Sequence, residues 1–517
     1  MGRKILPSIT PSRLGEPIAG RLAAGDADSV CRGHSQEDFL TTDLKLFIAG
    51  DWTEGTGDGH YELRSPGTGE HLANVPLASI QDVDRAVLAA RTATEEMRHW
   101  SAFERAELCL RAYEIWQERI EEIARLLTME QGKPFKAEAI EDIAESGDYL
   151  HIAAEDAKRM KGELIPTTER NRRMFTVRRP VGIWAAITPW NFPVMIPMET
   201  VGPGLATGNA VIVKPPLNTC WAMLEAARAI EEAGFPKGAL SVIPGDRETG
   251  EHLVTHPGID GISFTGSSET GKRIVAAMGL KRTIMEMSGN GPLIVAGDGD
   301  IEAAASAAVY GAYYNAGQVC TATERVIVVD EVHDEFVEAT LKAARQVRLG
   351  DPFADDTTMG PLNNEPTAAK MDRHIQDAVG HGGEVLLGGG RAPGYPTDLY
   401  YELTVIDRVS EDAAVSREES FGPVVPILAA ADDEAAVGIA NRTHLGLQSA
   451  VFTNDLSKAF WYADRIRSGT VIVNDSTDFW ETFQPFGGAA GTETGWGRQR
   501  IEEFTDLQTI VFNLREQ

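Results

Sequence analysis

A chain of 517 residues, 43% of them hydrophobic and 24% charged, is long enough for two or three packed domains and too apolar to be disordered throughout. Its 48 Lys and Arg against 77 Asp and Glu leave a formal charge of -29, which opposes phosphodiester backbones and anionic lipids, so neither nucleic acid nor a membrane is an expected partner. Cys31, Cys109, Cys220 and Cys320 lack the paired spacing of a metal site or disulfide framework. There is no leader-like apolar core and no bilayer-length apolar run, so a cytoplasmic protein without a metal is expected.

Residues 1–43, with Pro7, Pro11 and Pro17 and no durable period, read as an N-terminal extension whose order the sequence leaves open. Leu46 to Gly50 is strand-like and Gly55 to Gly59 turn-rich, which predicts a hairpin there. Between Ile80 and Lys161 apolar residues recur at three-to-four spacing, as in Ala106, Leu110, Tyr113 and Ile123, Leu126, Leu127, and predict scaffold helices. In the polar stretch from Lys161 to Arg179, Met174 to Val177 predicts a strand at a sheet edge, of the kind that joins subunits.

From Pro180 strands and helices alternate. Strands are predicted at Val181 to Ile187, Ala210 to Val213, Leu240 to Ile243 and Gly261 to Phe264, with helices after Pro193 and from Ala222 to Glu232. A second alternating region holds Arg325 to Asp330, a helix around Glu335 to Gln346, Val424 to Leu428 and Thr470 to Asn474. The fold class is α/β with two doubly wound domains, Cys320 falling in the second; no internal repeat is visible.

Cys320 stands on the connection between an alanine-rich helical run, Ala303 to Tyr313, and an apolar strand, where chemistry is commonly mounted. Asn191, in Thr188-Pro189-Trp190-Asn191-Phe192-Pro193, lies in a turn stiffened by two prolines and offers a fixed N–H donor suited to an oxyanion. Glu286 sits in apolar surroundings before a glycine turn, where burial raises a carboxyl toward the range of a general base. Lys214 ends a strand, where open α/β sheets bind nucleotides, and Phe264-Thr265-Gly266-Ser267 leads a strand into a helix whose N-terminus can face a pyrophosphate, without the G-x-G-x-x-G spacing. Glu419 and Phe421 pair a carboxylate with an aromatic ring in a stiff turn, suited to a ribose and a flat ring. Taken singly, each has a plain reading: a buried filler cysteine, a turn-capping asparagine, a paired glutamate, a solvated lysine, ordinary loops.

In order, spacing and wording these motifs resemble the aldehyde dehydrogenase superfamily from about Leu46 to Val511. The resemblance is carried by Pro189-Trp190-Asn191-Phe192-Pro193, Lys214-Pro215-Pro216, Phe264-Thr265-Gly266-Ser267, Glu286-Met287-Ser288-Gly289, Gly317-Gln318-Val319-Cys320, Glu419-Ser420-Phe421-Gly422-Pro423 and Pro485-Phe486-Gly487-Gly488. It implies an NAD(P)-dependent enzyme of the non-acylating type with a cofactor-binding domain (44–160 and 180–287), a catalytic domain (288–488) and a small β bridging region (161–179 and 489–517) through which homodimers or homotetramers form. Cys320 becomes the nucleophile, Glu286 the base for water, and Asn191 with the Cys320 N–H the oxyanion hole. Ile187, Thr188, Pro189, Trp190, Lys214, Gly250, Gly266, Ser267, Glu419 and Phe421 become contacts of NADP or NAD. A coenzyme A-acylating relative often lacks the base that Glu286 supplies, and a catalytically silent member would have lost the cysteine or asparagine.

Two departures from the family pattern bear on specificity. Many NAD-using relatives carry a glutamate three residues after the lysine, where it repels a 2′-phosphate; here the residue is Leu217, which favours acceptance of NADP. Relatives acting on dicarboxylate semialdehydes hold the anion with arginines eight positions after the asparagine and six before the cysteine, and a serine four before the Pro-Phe-Gly-Gly signature. Here these are Glu199, Tyr314 and Glu481, so with Trp480 as a wall the expected substrate is a polar or cationic aldehyde, an anionic semialdehyde being the alternative.

Overall fold

The computed structural model describes residues 42–495 and 501–514, all within the compact unit that begins at Thr41. Most of the N-terminal extension lies outside the described residues; Thr42–Asp43 forms a short strand paired in parallel with Ala73 and Asn74. Two seven-stranded sheets carry the fold. In the first, Arg282–Glu286, Gly261–Thr265, Ile183–Ile187, Ala210–Lys214 and Leu240–Val242 lie side by side and parallel. The three inner strands, from Gly261–Thr265 to Ala210–Lys214, are buried almost along their whole length, as a sheet covered by helices on both faces requires. Register places Ile187 beside Lys214 and Thr265 beside Glu286, so the carboxyl ends of four adjacent strands form one row.

An antiparallel hairpin, Leu46–Ile48 with Asp51–Thr53, closes one edge of this sheet. Its turn is Ala49-Gly50, both at positive φ (57° and 77°), the two-residue geometry that matches strand twist. The glycine-rich stretch from Gly55 to Gly59, expected as the turn, instead links the hairpin to the strand His60–Arg64 of a separate three-stranded sheet.

The second sheet runs Glu384–Leu387, Thr404–Asp407, Val424–Ala430, Thr323–Val329, Gly291–Val295, Gln448–Phe452, Thr470–Val473, parallel except at its first strand. The helices Ile120–Gln131 and Ile140–Ala157, joined through a π-helical turn at Phe135–Ala139, bring Gln131, Lys133, Glu138 and Asp142 into the interior. In the small sheet, Arg172–Pro180 lies between Leu164–Ile165 and Thr505–Asn513. The expected edge position of Met174 to Val177 is therefore corrected: nine C-terminal residues cover that side, and Thr505–Asn513 is the long edge. Among the described residues no helix is long and apolar enough to cross a membrane.

Candidate active site

Cys320 follows the helix Ile301–Tyr313 and a single 3-10 turn, Tyr314–Gly317, in which Asn315, Ala316 and Gly317 all adopt left-handed backbone (φ 49°, 53° and 74°). Asn315 and Ala316, which have side chains, are strained there and persist only where their surroundings fix them. Here the Glu138 carboxylate accepts the Asn315 N–H at 3.1 and 3.2 Å, and the Gln131 amide donates to Asn315 Oδ1 at 2.9 Å. Gln318 returns its own amide to Asn315 O at 2.8 Å and takes the Asn363 N–H at 2.8 Å. A Cβ on Gly317 would lie 2.3 Å from the Gly422 carbonyl oxygen, so only glycine fits between these loops.

The turn aims the thiol at the row of strand ends. Glu286, the last residue of its strand and 1% exposed, lines the same cavity as Cys320, its carboxyl beside the thiol. Burial pushes that carboxyl up to about 8, with Cys320 opposing and Glu419 adding. Burial, then Glu286, holds the Cys320 thiol well above its ordinary value, so at neutral pH the sulfur is protonated at rest. Asn191, buried in its proline-flanked turn, donates its amide to Gln318 O at 3.0 Å, and the Asn315 amide donates to Asn191 O at 3.3 Å. The two loops are thereby tied together beside the sulfur.

Cys320 lies where two cavities meet. The first, about 360 Å³, is lined by Pro189, Trp190, Asn191, Gly266, Ser267, Glu286, Glu419 and Phe421, together with Thr367 and Lys370. Gly266 sits at φ 158°, and Ser267 caps the helix Ser268–Ala277 by accepting the Thr270 N–H, which leaves that helix N-terminus beside the cavity. The Phe421 ring meets Trp190 edge-on at 5.5 Å, and Glu419 accepts the Gly289 N–H at 2.8 Å. Ile187, Thr188, Lys214 and Gly250 are not in this lining. Ile187 and Lys214 stand in register on neighbouring strands, Thr188 donates its N–H to Lys214 O, and the Lys214 chain runs 3.5 Å from the place of a Cβ on Gly250. Burial lowers Lys214 to about 8, with Asp246 opposing.

The second cavity, about 310 Å³, is lined by Glu199, Tyr314 and Trp480 among others. Glu199 accepts the Tyr149 hydroxyl at 3.2 Å, and the Trp480 ring packs edge-on against Phe486. Arg172 is taken by Glu169, and Arg173 by backbone carbonyls. Glu481 is the correction: it is exposed and outside this lining, while its neighbours Asp478 and Trp480 point in. The sequence reading also missed Glu141, Glu145, Tyr310, Asp475 and Asp478, which line the cavity. Tyr310 was findable, since it precedes Tyr314 by one helical turn and stacks on it at 5.5 Å; Glu145 and Lys370 sit on helices remote from any motif. Among the described residues one His and Asp group of metal-ligand type occurs, Asp84, His252 and His256, on the helices Ile80–Met97 and Arg247–Thr255 and their flank. The Gly258 N–H donates to His256 Nδ1, which turns the other ring nitrogen, as N–H, to Asp84 and accounts for the group without an ion.

Residues 52–510 match the aldehyde dehydrogenase family. The chain is 36% identical over 515 residues to the mitochondrial succinate-semialdehyde dehydrogenase of Arabidopsis thaliana, spanning 98% of this chain and 96% of that protein. It is 32% identical over 475 residues to the NADP(+) succinate-semialdehyde dehydrogenase of Escherichia coli, spanning 91% and 98%. Among solved structures, the NAD-dependent aldehyde dehydrogenase from Sinorhizobium meliloti matches with a TM-score of 0.89 at 31% identity, over 94% of this chain and 97% of that one. The chain thus belongs to the aldehyde dehydrogenase family. It is an oxidoreductase that converts an aldehyde to a carboxylic acid with NAD or NADP.

Proposed function

We propose that Cys320 is the nucleophile of this oxidation and that the substrate is a polar or cationic aldehyde. The observation that carries the first half is the Cys320 thiol, set beside the Glu286 carboxyl at the meeting of two cavities. The Cys320 thiol gives its proton to solvent, the sulfur bonds to the aldehyde carbon, and the Asn191 amide with the Cys320 N–H receives the oxygen as charge develops on it. The nicotinamide cofactor supplies a hydride acceptor when bound. Pro189, Trp190, Gly266, Ser267, Glu419 and Phe421 in the first cavity, with Ile187, Thr188, Lys214 and Gly250 beyond it, are the residues that would hold it. A helix N-terminus and Lys214 suit its phosphates, and the acceptor carboxylate of Glu419 suits ribose hydroxyls. Loss of hydride leaves a thioester on Cys320. Glu286 then draws a proton from water, which attacks the acyl carbon and releases the acid and the thiolate. The presence of Glu286 favours water over coenzyme A as acyl acceptor.

The second half rests on the other cavity. Its described lining carries five carboxylates, Glu141, Glu145, Glu199, Asp475 and Asp478, and no Lys, Arg or His. Burial, then the neighbouring acids, pushes Glu145 up to about 8, and burial pushes Asp478 up to about 7. The nearby Lys133 is spent on Asp142 at 2.5 Å and lies 3.3 Å over the Phe192 ring. Such a cavity offers a carboxylate-bearing aldehyde no counter-ion and accommodates hydroxyl or ammonium groups, with Tyr310, Tyr314 and Trp480 as ring walls. The relatives named for succinate semialdehyde support the anionic alternative by kinship, while the lack of any Lys, Arg or His in the described lining opposes it.

The enzyme is further proposed to be cytoplasmic and to form homodimers or homotetramers through the region around 161–179 and 489–517. Exposed Leu507, Val511 and Phe512 along the edge strand Thr505–Asn513 support pairing with a second copy. Cys320→Ala tests the nucleophile: oxidation is lost, while affinity for the cofactor stays within about threefold because the thiol does not hold the nucleotide. Retained turnover removes the assignment.

A further inference from the structure

The strand that follows the nucleophile contains an extra residue. Along the ladder with Gly291–Val295, Gly291 faces Thr323 but Pro292 faces Arg325, so Glu324 is the additional residue of a β-bulge. A bulge re-aims a side chain, and here it sends a carboxylate into the interior, where Glu324 is 3% exposed. One oxygen accepts the Ser420 N–H at 2.7 Å and the other accepts the Phe421 N–H at 2.9 Å. No basic side chain among the described residues forms an ion pair with it. Lys370 and Arg325 act on it without pairing, and a buried carboxylate is costly to keep without a paired counter-charge, so what it gains at hydrogen-bond distance is the backbone it holds.

That backbone needs holding. Phe421 lies at φ 58°, in the left-handed region, where an aromatic residue is strained. Its neighbours reach both halves of the site: Glu419 binds the Gly289 N–H, Phe421 meets Trp190, and the Gly422 carbonyl packs on Gly317 of the nucleophile turn. His374 touches the Ser420 hydroxyl at 3.1 Å, so this residue has a side-chain tether as well, but among the described residues the Phe421 N–H has Glu324 alone as partner.

We propose that Glu324 is a positioning residue for the cofactor: its carboxylate clamps the 420–421 backbone in the conformation that presents Glu419 and Phe421 to the first cavity. The inference rests on the reading of that cavity as the cofactor site. A carboxylate is required because both partners are donors. An amide turns an N–H toward one of them, and a shorter acid cannot span both.

The test compares wild type with Glu324→Gln in three measurements: NADP+ and NAD+ dissociation constants by fluorescence titration, steady-state kinetics, and the rate of Cys320 alkylation by iodoacetamide without cofactor. With one buried N–H left unsatisfied, both dissociation constants rise by about tenfold or more and kcat falls. The aldehyde KM and the alkylation rate stay within about twofold, since Asn191, Asn315 and Gln318 still set the thiol. A general structural role would instead slow alkylation by the same factor as cofactor binding weakens, and that result overturns the proposal, as do unchanged dissociation constants. Should the amide variant fail to fold, Glu324→Asp takes the same measurements with the same expectations. Phe421→Ala separates the two levels of the argument: unmoved cofactor affinity there refutes the reading of the cavity, and the clamp with it, whereas unmoved affinity in Glu324→Gln alone refutes only the clamp.

Discussion

Replacing Glu286 by Gln removes the carboxyl that touches Cys320 while nearly preserving its volume. Burial holds that carboxyl at about 8 against an ordinary value of 4.5, so about one-tenth of it is ionised at pH 7. If the ionised form draws the proton from water, the wild-type steady-state rate rises about tenfold from pH 7 to a plateau above pH 9. The Glu286→Gln variant gives the first burst of reduced cofactor and then turns over slowly, without that rise. Stopped-flow absorbance of the reduced nicotinamide separates the phases. The burst reports the thiol, whose own raised value makes it faster at high pH, and the steady state reports the base. The same shift makes a stability statement. The folded protein binds this proton more tightly than the unfolded chain, so the group favours folding below about pH 4.5 and loses that contribution as pH rises through 8. A difference of about 3.5 units at 1.36 kcal/mol each limits the penalty to about 5 kcal/mol at full ionisation. Urea unfolding therefore shows the variant gaining on wild type between pH 5 and pH 9. An absent burst, a variant that keeps the wild-type pH rise, or a pH-independent stability difference refutes the reasoning.

With chain length matched, amino- or trimethylammonio-aldehydes and neutral hydroxyaldehydes give higher kcat/KM than succinate semialdehyde, and Glu199→Gln narrows the gap. A wild-type preference for the anion rejects the acidic-cavity argument. NADP is accepted at least comparably with NAD, because Leu217 leaves nothing at that position to repel a 2′-phosphate near Lys214. A kcat/KM for NAD more than about a hundredfold higher, some 2.7 kcal/mol, refutes it.

The parallel strands were legible because a strand buried on both faces reads as a continuous apolar run, as Ala210 to Val213 and Gly261 to Phe264 do. The hairpin turn was misread because glycine density drew attention to Gly55 and Gly59, whereas the geometry needed positive φ at Ala49 as well, a residue with no local signal for it. The Arg172–Pro180 strand was read as an edge because its partner lies at the other end of the chain, beyond any local window. Motif spacing led to Cys320, Glu286, Asn191 and one acid of the second cavity, Glu199, but not to the other four. Glu145 and Asp478 are distant in sequence and become one electrostatic group only when the helix Ile140–Ala157 packs beside the loop after Thr470–Val473. Glu481 failed for the opposite reason, since in an irregular loop one position decides whether a side chain faces inward, and the strand rule of alternation does not apply.

The left-handed turn before Cys320 is fixed by Gln131, Glu138, Asn363 and the Gly422 carbonyl, drawn from stretches far apart along the chain. Gln131 and Glu138 precede Cys320 along the chain and Asn363 and Gly422 follow it, so the turn has its full set of supports only when the later segments are in place. Turnover is consequently a count of finished molecules, and a partly opened enzyme falls silent toward aldehydes instead of acting on them without control.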